Sequence, residues 1–243
     1  MWSGDCWLSP DSDRYIFEGA ESVPENYDGF EFRYHTLLNE FRTPKDKVVE
    51  LLALLQPVNN GHSLMRIGGA SDGGYLVPDD LDGVSICFSP GVQHISDFEI
   101  DLATKYGIKS SLIDGSIDRP VVPADISTMI SFTKGWIGAY NTGAYTTDIP
   151  TYSLNSWITE HIRDTHGDVL LQIDIEDAEW EALLALDLNL QRRMRIIVCE
   201  FGNLQYMTHL REFVWINRIF QKILLTHDVV HIHPNNCCGK FEY

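Results

Sequence analysis

The residues best equipped for chemistry fall just past short, nearly all-apolar runs. VSICF leads through SPG, which ends in Gly91, and SSLI leads to Asp114 and Gly115. VLLQI leads to Asp174, Ile175 and Glu176, RIIVC to Glu200, and VVHIH to Asn235 and Asn236. Apolar runs of that length, bounded by turn formers, read as strands covered on both faces of a parallel sheet. Open parallel sheets bind ligands outside the C-terminal ends of their strands. A glycine there removes a side chain where a cofactor approaches. A carboxylate ending the second strand can accept both hydroxyls of a ribose. The row of glycine, acids and amides points to an enzyme with a nucleoside-containing cofactor.

The elements that must position these residues follow an alternating grammar. PKDKVVELLALLQP starts at Pro44, carries Val48, Leu51, Leu52 and Leu55 at helical spacing and stops at Pro57. EFRYHTLLNEF is a further short helix candidate. From about residue 84 to 231, strands alternate with helices: VSICF, ISDFEIDLATKYG, IKSSLI, MISFTKG, SLNSWITEHIRDTHG capped by Ser153, DVLLQI, AEWEALLALDL, MRIIVC and HLREFVWINRIFQKIL. HDVVHIHPNN is expected to be a strand or strand-loop unit and GKFEY an edge strand. This is α/β grammar with a mainly parallel sheet. The organisation expected is an acidic N-terminal arm and helical extension over residues 1–60, then one domain over 61–243.

The loops say which cofactor. Neither GxGxxG nor GxxxxGK[ST] occurs, and the first loop, FSPGVQHIS, has one glycine and no basic residue. A cofactor without phosphates fits better, and S-adenosyl-L-methionine has a ribose for Asp114 and a cationic centre for nearby acids. The 243 residues carry 35 acids against 18 Lys and Arg, a formal charge of -17. That works against nucleic acid and anionic membrane surfaces as partners. It favours a neutral acceptor and leaves oligomer formation open. With 44% hydrophobic residues the chain can bury a sizeable core. No run is long and apolar enough to span a bilayer, and the start lacks the features of a secretory signal. Five irregularly spaced cysteines (Cys6, Cys87, Cys199, Cys237, Cys238) suit a reducing compartment, so the expected setting is the cytoplasm.

RIGGASDGGYLVPDD, ICFSPGVQHISDFEIDLATKYG with SLIDGS, LLQIDIEDAEWEAL, IIVCEF and HIHPNNC occur in this order over roughly residues 64–238. In these stretches the chain resembles the FkbM-type S-adenosylmethionine-dependent methyltransferases. The resemblance implies a Rossmann-like class I methyltransferase fold, with a mainly parallel seven-stranded sheet and helices on both faces. It implies O-methylation of a sugar or glycan hydroxyl. Gly91 would line the methionine side, Asp114 and Gly115 the ribose, and Asp174 the reacting centre. Arg66, Asp72, Gly73 and Tyr75 would close over the cofactor, although the same glycines could simply permit a turn. The chain departs from the family pattern at three positions: Gln172 stands where Lys is usual, Asp177 where Gly is, and Gly202 where His often is.

Methyl transfer needs an in-line arrangement and removal of a hydroxyl proton. Asp174, Glu200 and Asn236 have hard oxygen donors that could bind Mg²⁺ or Mn²⁺. In a metal-free site, Asp174 or His231 would take the proton; the catalytic candidates are Asp174, Glu200 and His231. HIHPNNCC is a poor zinc site, since no second cysteine pair exists. Trp136 could stack on adenine or on a sugar, or pack in the core. Two rival readings are a catalytically inactive methyltransferase-like binding protein and an NAD-dependent oxidoreductase.

Overall fold

The computed structural model describes residues 6–8, 15–17, 41–70, 73–142, 148–162 and 166–234. The chain divides into two compact units, Met1–Arg42 and Thr43–Tyr243. In the first, β1 (Cys6–Leu8) pairs antiparallel with β2 (Tyr15–Phe17). The helix expected in EFRYHTLLNEF and the edge strand expected in GKFEY lie outside the described residues. So do Asp72, Asn235 and Asn236.

The second unit opens with α1 (Lys45–Leu54), entered through Pro44, whose ring fixes φ at −55° and whose missing N–H costs a helix start nothing. The apolar spacing read from the sequence becomes a buried stripe. Val48, Leu51 and Leu55 pack on Phe213, Ile216 and Phe220 of the last helix. Next come an antiparallel hairpin, β3 (Leu64–Ile67) and β4 (Tyr75–Pro78), then β5 (Val84–Pro90), α2 (Asp97–Tyr106), β6 (Lys109–Ile113) and β7 (Ile130–Thr133). β8 (Trp136–Gly138) and β9 (Thr151–Ser153) form a small parallel pair. The chain continues through α3 (Leu154–His161), β10 (Asp168–Ile173), α4 (Glu179–Ala185), α5 (Leu188–Arg193), β11 (Met194–Cys199) and α6 (Leu210–Ile223). Ser153 caps α3 as expected, its Oγ accepting the Ser156 N–H at 3.2 Å, a bond worth about 1 kcal/mol.

The main sheet has five strands in the order β11-β10-β5-β6-β7, with every neighbouring pair parallel. From β5 the chain steps outward to β6 and β7, then returns to the other side of β5 for β10 and β11. The order therefore reverses between β5 and β10, which is the switch point where such sheets bind ligands. Alternate residues serve the two faces. Phe88, Val169, Leu171 and Ile173 pack under Trp157, Ile158, Leu183 and Ile219 from α3, α4 and α6. Cys87 and Leu170 pack under Phe98 and Leu102 of α2 and Ile67 and Val77 of the hairpin. Coverage on both faces explains why the strand sequences are almost wholly apolar.

Among the described residues the main sheet has these five strands. Residues 228–234, expected to be a strand or strand-loop unit, take no regular secondary structure there. The Val229 carbonyl is taken by the Val58 N–H at 2.8 Å, and the Val229 side chain packs in the layer between α1 and α6.

Candidate active site

The sheet pairing continues one residue past each strand. The Glu200 N–H donates to the Ile173 carbonyl (3.0 Å), Asp174 to Pro90 (3.2 Å), Gly91 to Ile113 (3.0 Å) and Asp114 to Thr133 (3.2 Å). Glu200, Asp174, Gly91 and Asp114 thus stand in that order along one edge, astride the switch point. The structure brings together four of the residues that the sequence spread over more than a hundred positions.

Gly91 is required by its surroundings. Its φ is +88°, and a Cβ there would lie 1.6 Å from the Asp174 carbonyl oxygen. The room left by the missing side chain is filled by the backbone of Asp174, so the glycine sets how closely β5 and β10 approach at the switch point. Asp114 is buried, and its carboxylate is fixed from two loops. Oδ2 accepts the Gln93 N–H at 2.7 Å, and Oδ1 accepts both the N–H and the hydroxyl of Ser116 at 2.6 Å. A carboxylate has about four acceptor positions, so capacity for further donors remains. The Trp136 indole lies against Gly115, where a Cβ would sit 2.2 Å from its Cε2, and the ring is 41% exposed.

The hairpin turn meets the same loop. A Cβ on Gly73 would fall 2.9 Å from the Ile95 side chain, just beyond β5, and Arg66 Nε donates to the Gly69 carbonyl (2.6 Å) within the turn. Tyr75 instead packs edge-on against Phe98 (5.8 Å), and its hydroxyl accepts from Gln172 Nε2 at 3.5 Å on the α2 face of the sheet.

Gln172 belongs to a buried polar chain that sequence reasoning missed. Ser89 Oγ sits between Glu99 Oε1 and Gln172 Oε1, the latter at 2.5 Å. A hydroxyl has one hydrogen to give. Ser89 therefore donates to one of these two oxygens at a time, and Gln172 donates to Tyr75. Burial pushes the Glu99 carboxyl up to about 7, which favours the neutral form that can donate back to Ser89. From the sequence, the lysine replaced by Gln172 would have been a cation beside the acids of the edge; the Gln172 side chain instead faces this chain beneath them.

The other two departures from the family pattern form one contact. Glu176 (φ 55°), Asp177 (φ 77°) and Asn203 (φ 54°) all adopt left-handed backbone, a costly conformation that clusters at functional sites. Asp177 Oδ2 accepts from Asn203 Nδ2 at 2.5 Å, and a Cβ on Gly202 would lie 2.2 Å from Asp177 Oδ1. Asp177 fills the space that a side chain at 202 would need. In a double-mutant cycle of Asp177→Gly and Gly202→Ala, the effects are expected to be non-additive by about 0.5–3 kcal/mol. Urea unfolding measures this, and additive effects would separate the two positions.

Glu179, also missed, opens α4 and is fully buried. Its Oε1 accepts the Ile175 N–H and so pins the turn after Asp174. Burial raises its carboxyl above the ordinary range, and its Oε2 lacks a hydrogen-bond partner among the described residues. The half-buried Cys199 thiol is pushed well up by desolvation, then by Glu179, Asp174 and Glu200. His231 lies in the irregular stretch beyond α6, stacked on His233 at 6.4 Å. No hydrogen bond or ion pair joins it to Asp174 or Glu200.

The Methyltransferase FkbM domain model matches residues 92–221. The chain belongs to the FkbM methyltransferase family. Members transfer a methyl group from S-adenosylmethionine to hydroxyls of sugars and glycans, and this chain is an S-adenosylmethionine-dependent O-methyltransferase. No curated protein and no solved structure matches it. The matched stretch of this FkbM methyltransferase runs from the residue after Gly91 into α6. It includes Asp114, Asp174, Asp177, Glu200 and Gly202 and leaves out the hairpin and His231. Among the described residues no three His, Cys, Asp or Glu side chains converge as a metal set would, and no helix is long and apolar enough to cross a membrane.

Proposed function

We propose that the C-terminal edge of the sheet is the methyl-transfer site, with S-adenosylmethionine lying across the ends of β5 and β6 and the acceptor hydroxyl above the end of β10. The observation that carries this is the row Asp174, Gly91, Asp114, knitted strand to strand at the switch point. The donor set fits the cofactor: carboxylates suit a ribose and a cation, and the exposed indole of Trp136 beside Gly115 offers a platform for adenine. When bound, the cofactor supplies an electrophilic methyl group on a sulfonium.

The chain's own residues do the rest. Asp114, already oriented by Gln93 and Ser116, receives the ribose hydroxyls without rearrangement. Arg66 and Gly73 bring the hairpin turn over the loop that follows β5. Asp174, whose following turn is pinned by Glu179, takes the proton as the acceptor oxygen is methylated; a sugar hydroxyl is a weak acid, so the base must be held in place. Glu200 adds negative charge opposite the sulfonium. Asp174 and Glu200 are hard donors of the kind Mg²⁺ or Mn²⁺ prefers, with Asn236 as a third. Without an ion, Asp174 takes the proton itself. The acceptor is a neutral glycan, as the charge of -17 favours, and the setting is the cytoplasm. The five strands keep the order of the class I methyltransferase sheet, which has seven. Residues 61–243 form its domain, and 1–60 form the acidic arm and helical extension.

Asp114→Ala is expected to weaken binding of S-adenosylhomocysteine about 100-fold in calorimetry, since hydrogen bonds to a charged group contribute about 1.5–3 kcal/mol each. Unchanged affinity would sink the ribose assignment.

A further inference from the structure

Beyond the end of β11, Trp180, Asn203, Tyr206, Arg211, Glu212 and Trp215 line a cleft of about 370 Å³. Its floor is rigid. Trp180 donates its indole N–H to the Gly202 carbonyl at 3.2 Å and packs on Phe201, with ring centroids 4.6 Å apart, and edge-on to Phe220. Its walls are open, with Trp215 56% and Tyr206 46% exposed. Arg211 and Glu212 lie one turn before Trp215 on the same helix face. Among the described residues, neither side chain has a hydrogen bond or an ion pair. The cleft is also tied to the methyl-transfer edge, because Asn203 donates to Asp177, three residues past Asp174. Both ends of that bond sit on left-handed backbone.

Exposed aromatic faces beside an uncommitted donor and an uncommitted acceptor match a sugar ring, which has an apolar C–H face and a rim of hydroxyls. The opposite charges of Arg211 and Glu212 balance, which suits a neutral ligand. The guanidinium also argues against a quaternary ammonium in an aromatic cage. We infer that this cleft is an acceptor subsite, holding a sugar ring next to the one that is methylated, so that the acceptor carries at least two rings. The inference rests on the glycan-acceptor reading above and adds the place, the residues and the minimum size of the acceptor.

The test uses the full chain, fluorescently labelled and saturated with S-adenosylhomocysteine, on an array of neutral and acidic oligosaccharides and simple monosaccharide glycosides. Neutral saccharides of two or more rings should bind, and monosaccharide glycosides only weakly. Trp215→Ala should weaken the best of them about tenfold, with S-adenosylhomocysteine affinity unchanged in calorimetry. Glu212→Gln, a near-isosteric change, should weaken the same saccharide by a smaller factor. Saccharide binding equal in wild type and both variants overturns the subsite and leaves the methyl-transfer site untouched. Monosaccharide glycosides bound as well as longer ones overturn the two-ring claim. No binding of any saccharide by the wild type, with the cofactor product still bound, overturns the subsite together with the acceptor class.

Discussion

Asp174→Asn is expected to slow methyl transfer by about 10²–10⁴-fold, the usual contribution of a positioned general base. The amide keeps the size and the main-chain bond to Pro90 that places the residue, but it cannot accept the hydroxyl proton. Binding of S-adenosylhomocysteine should stay within a few-fold of wild type, because Asp114, on the other side of Gly91, carries the ribose. Single-turnover transfer of labelled methyl to a neutral oligosaccharide, beside calorimetry, separates the two effects. The same assay with EDTA should run at the wild-type rate. Loss restored by Mg²⁺ would move the proton step from the bare carboxylate to an ion held by Asp174 and Glu200. A rate unaffected by Asp174→Asn would remove the residue from the mechanism.

Relative to Glu99→Gln, stability is expected to fall as pH rises from about 5 to 7, because of the buried Glu99 carboxyl. A glutamate ionises near 4.5 in the unfolded chain, whereas burial brings Glu99 to about 7 in the fold. Between those values the folded protein keeps a proton that the unfolded chain has released, so raising the pH favours unfolding. The contribution is fully present below 4.5 and lost above 7, and it amounts to about 3 kcal/mol. Urea unfolding at pH 5 and pH 8 should show this loss in the wild type relative to Glu99→Gln, which keeps a hydrogen-bonding group for Ser89 but cannot ionise. Gln172→Lys should reduce the loss by giving Glu99 a counter-charge. Parallel curves for wild type and Glu99→Gln would mean that the carboxyl is not held neutral.

Much of the fold was legible because its signals are local. VSICF, VLLQI and RIIVC are apolar on both faces, which a strand between two helical layers must be. Val48, Leu51 and Leu55 repeat at the helical period, and Ser153 sits where a cap is needed. HDVVHIHPNN left strand and strand-loop open for the same reason: its alternation is local, whereas a ladder needs a neighbour, and residues 228–234 are irregular. Of the site residues, Asp114, Asp174 and Glu200 could be found because acids are unusual directly after buried strands. Glu99 and Glu179 could not. Glu99 is one acid on a helix that carries others, and Glu179 opens a helix where acids are common. Asp177 and Gly202 stood out singly as departures from the family pattern, but their contact did not.

By itself, then, the sequence determined the alternation of strand and helix, the polar residues that end each strand and the class of cofactor they suit. Each of these depends on residues close together in the chain. Only the tertiary structure decided which strand ends stand side by side, which carboxyl is buried without a counter-charge and which aromatic faces stay open to solvent. Strand order and register set what each side chain faces. The order Glu200, Asp174, Gly91, Asp114 comes from a chain reversal at β5 that no local pattern encodes. It also divides the acidity of the chain: Glu99 and Glu179 are buried with raised pKa values, whereas Asp114, Asp174 and Glu200 line the edge where methyl transfer is proposed to take place.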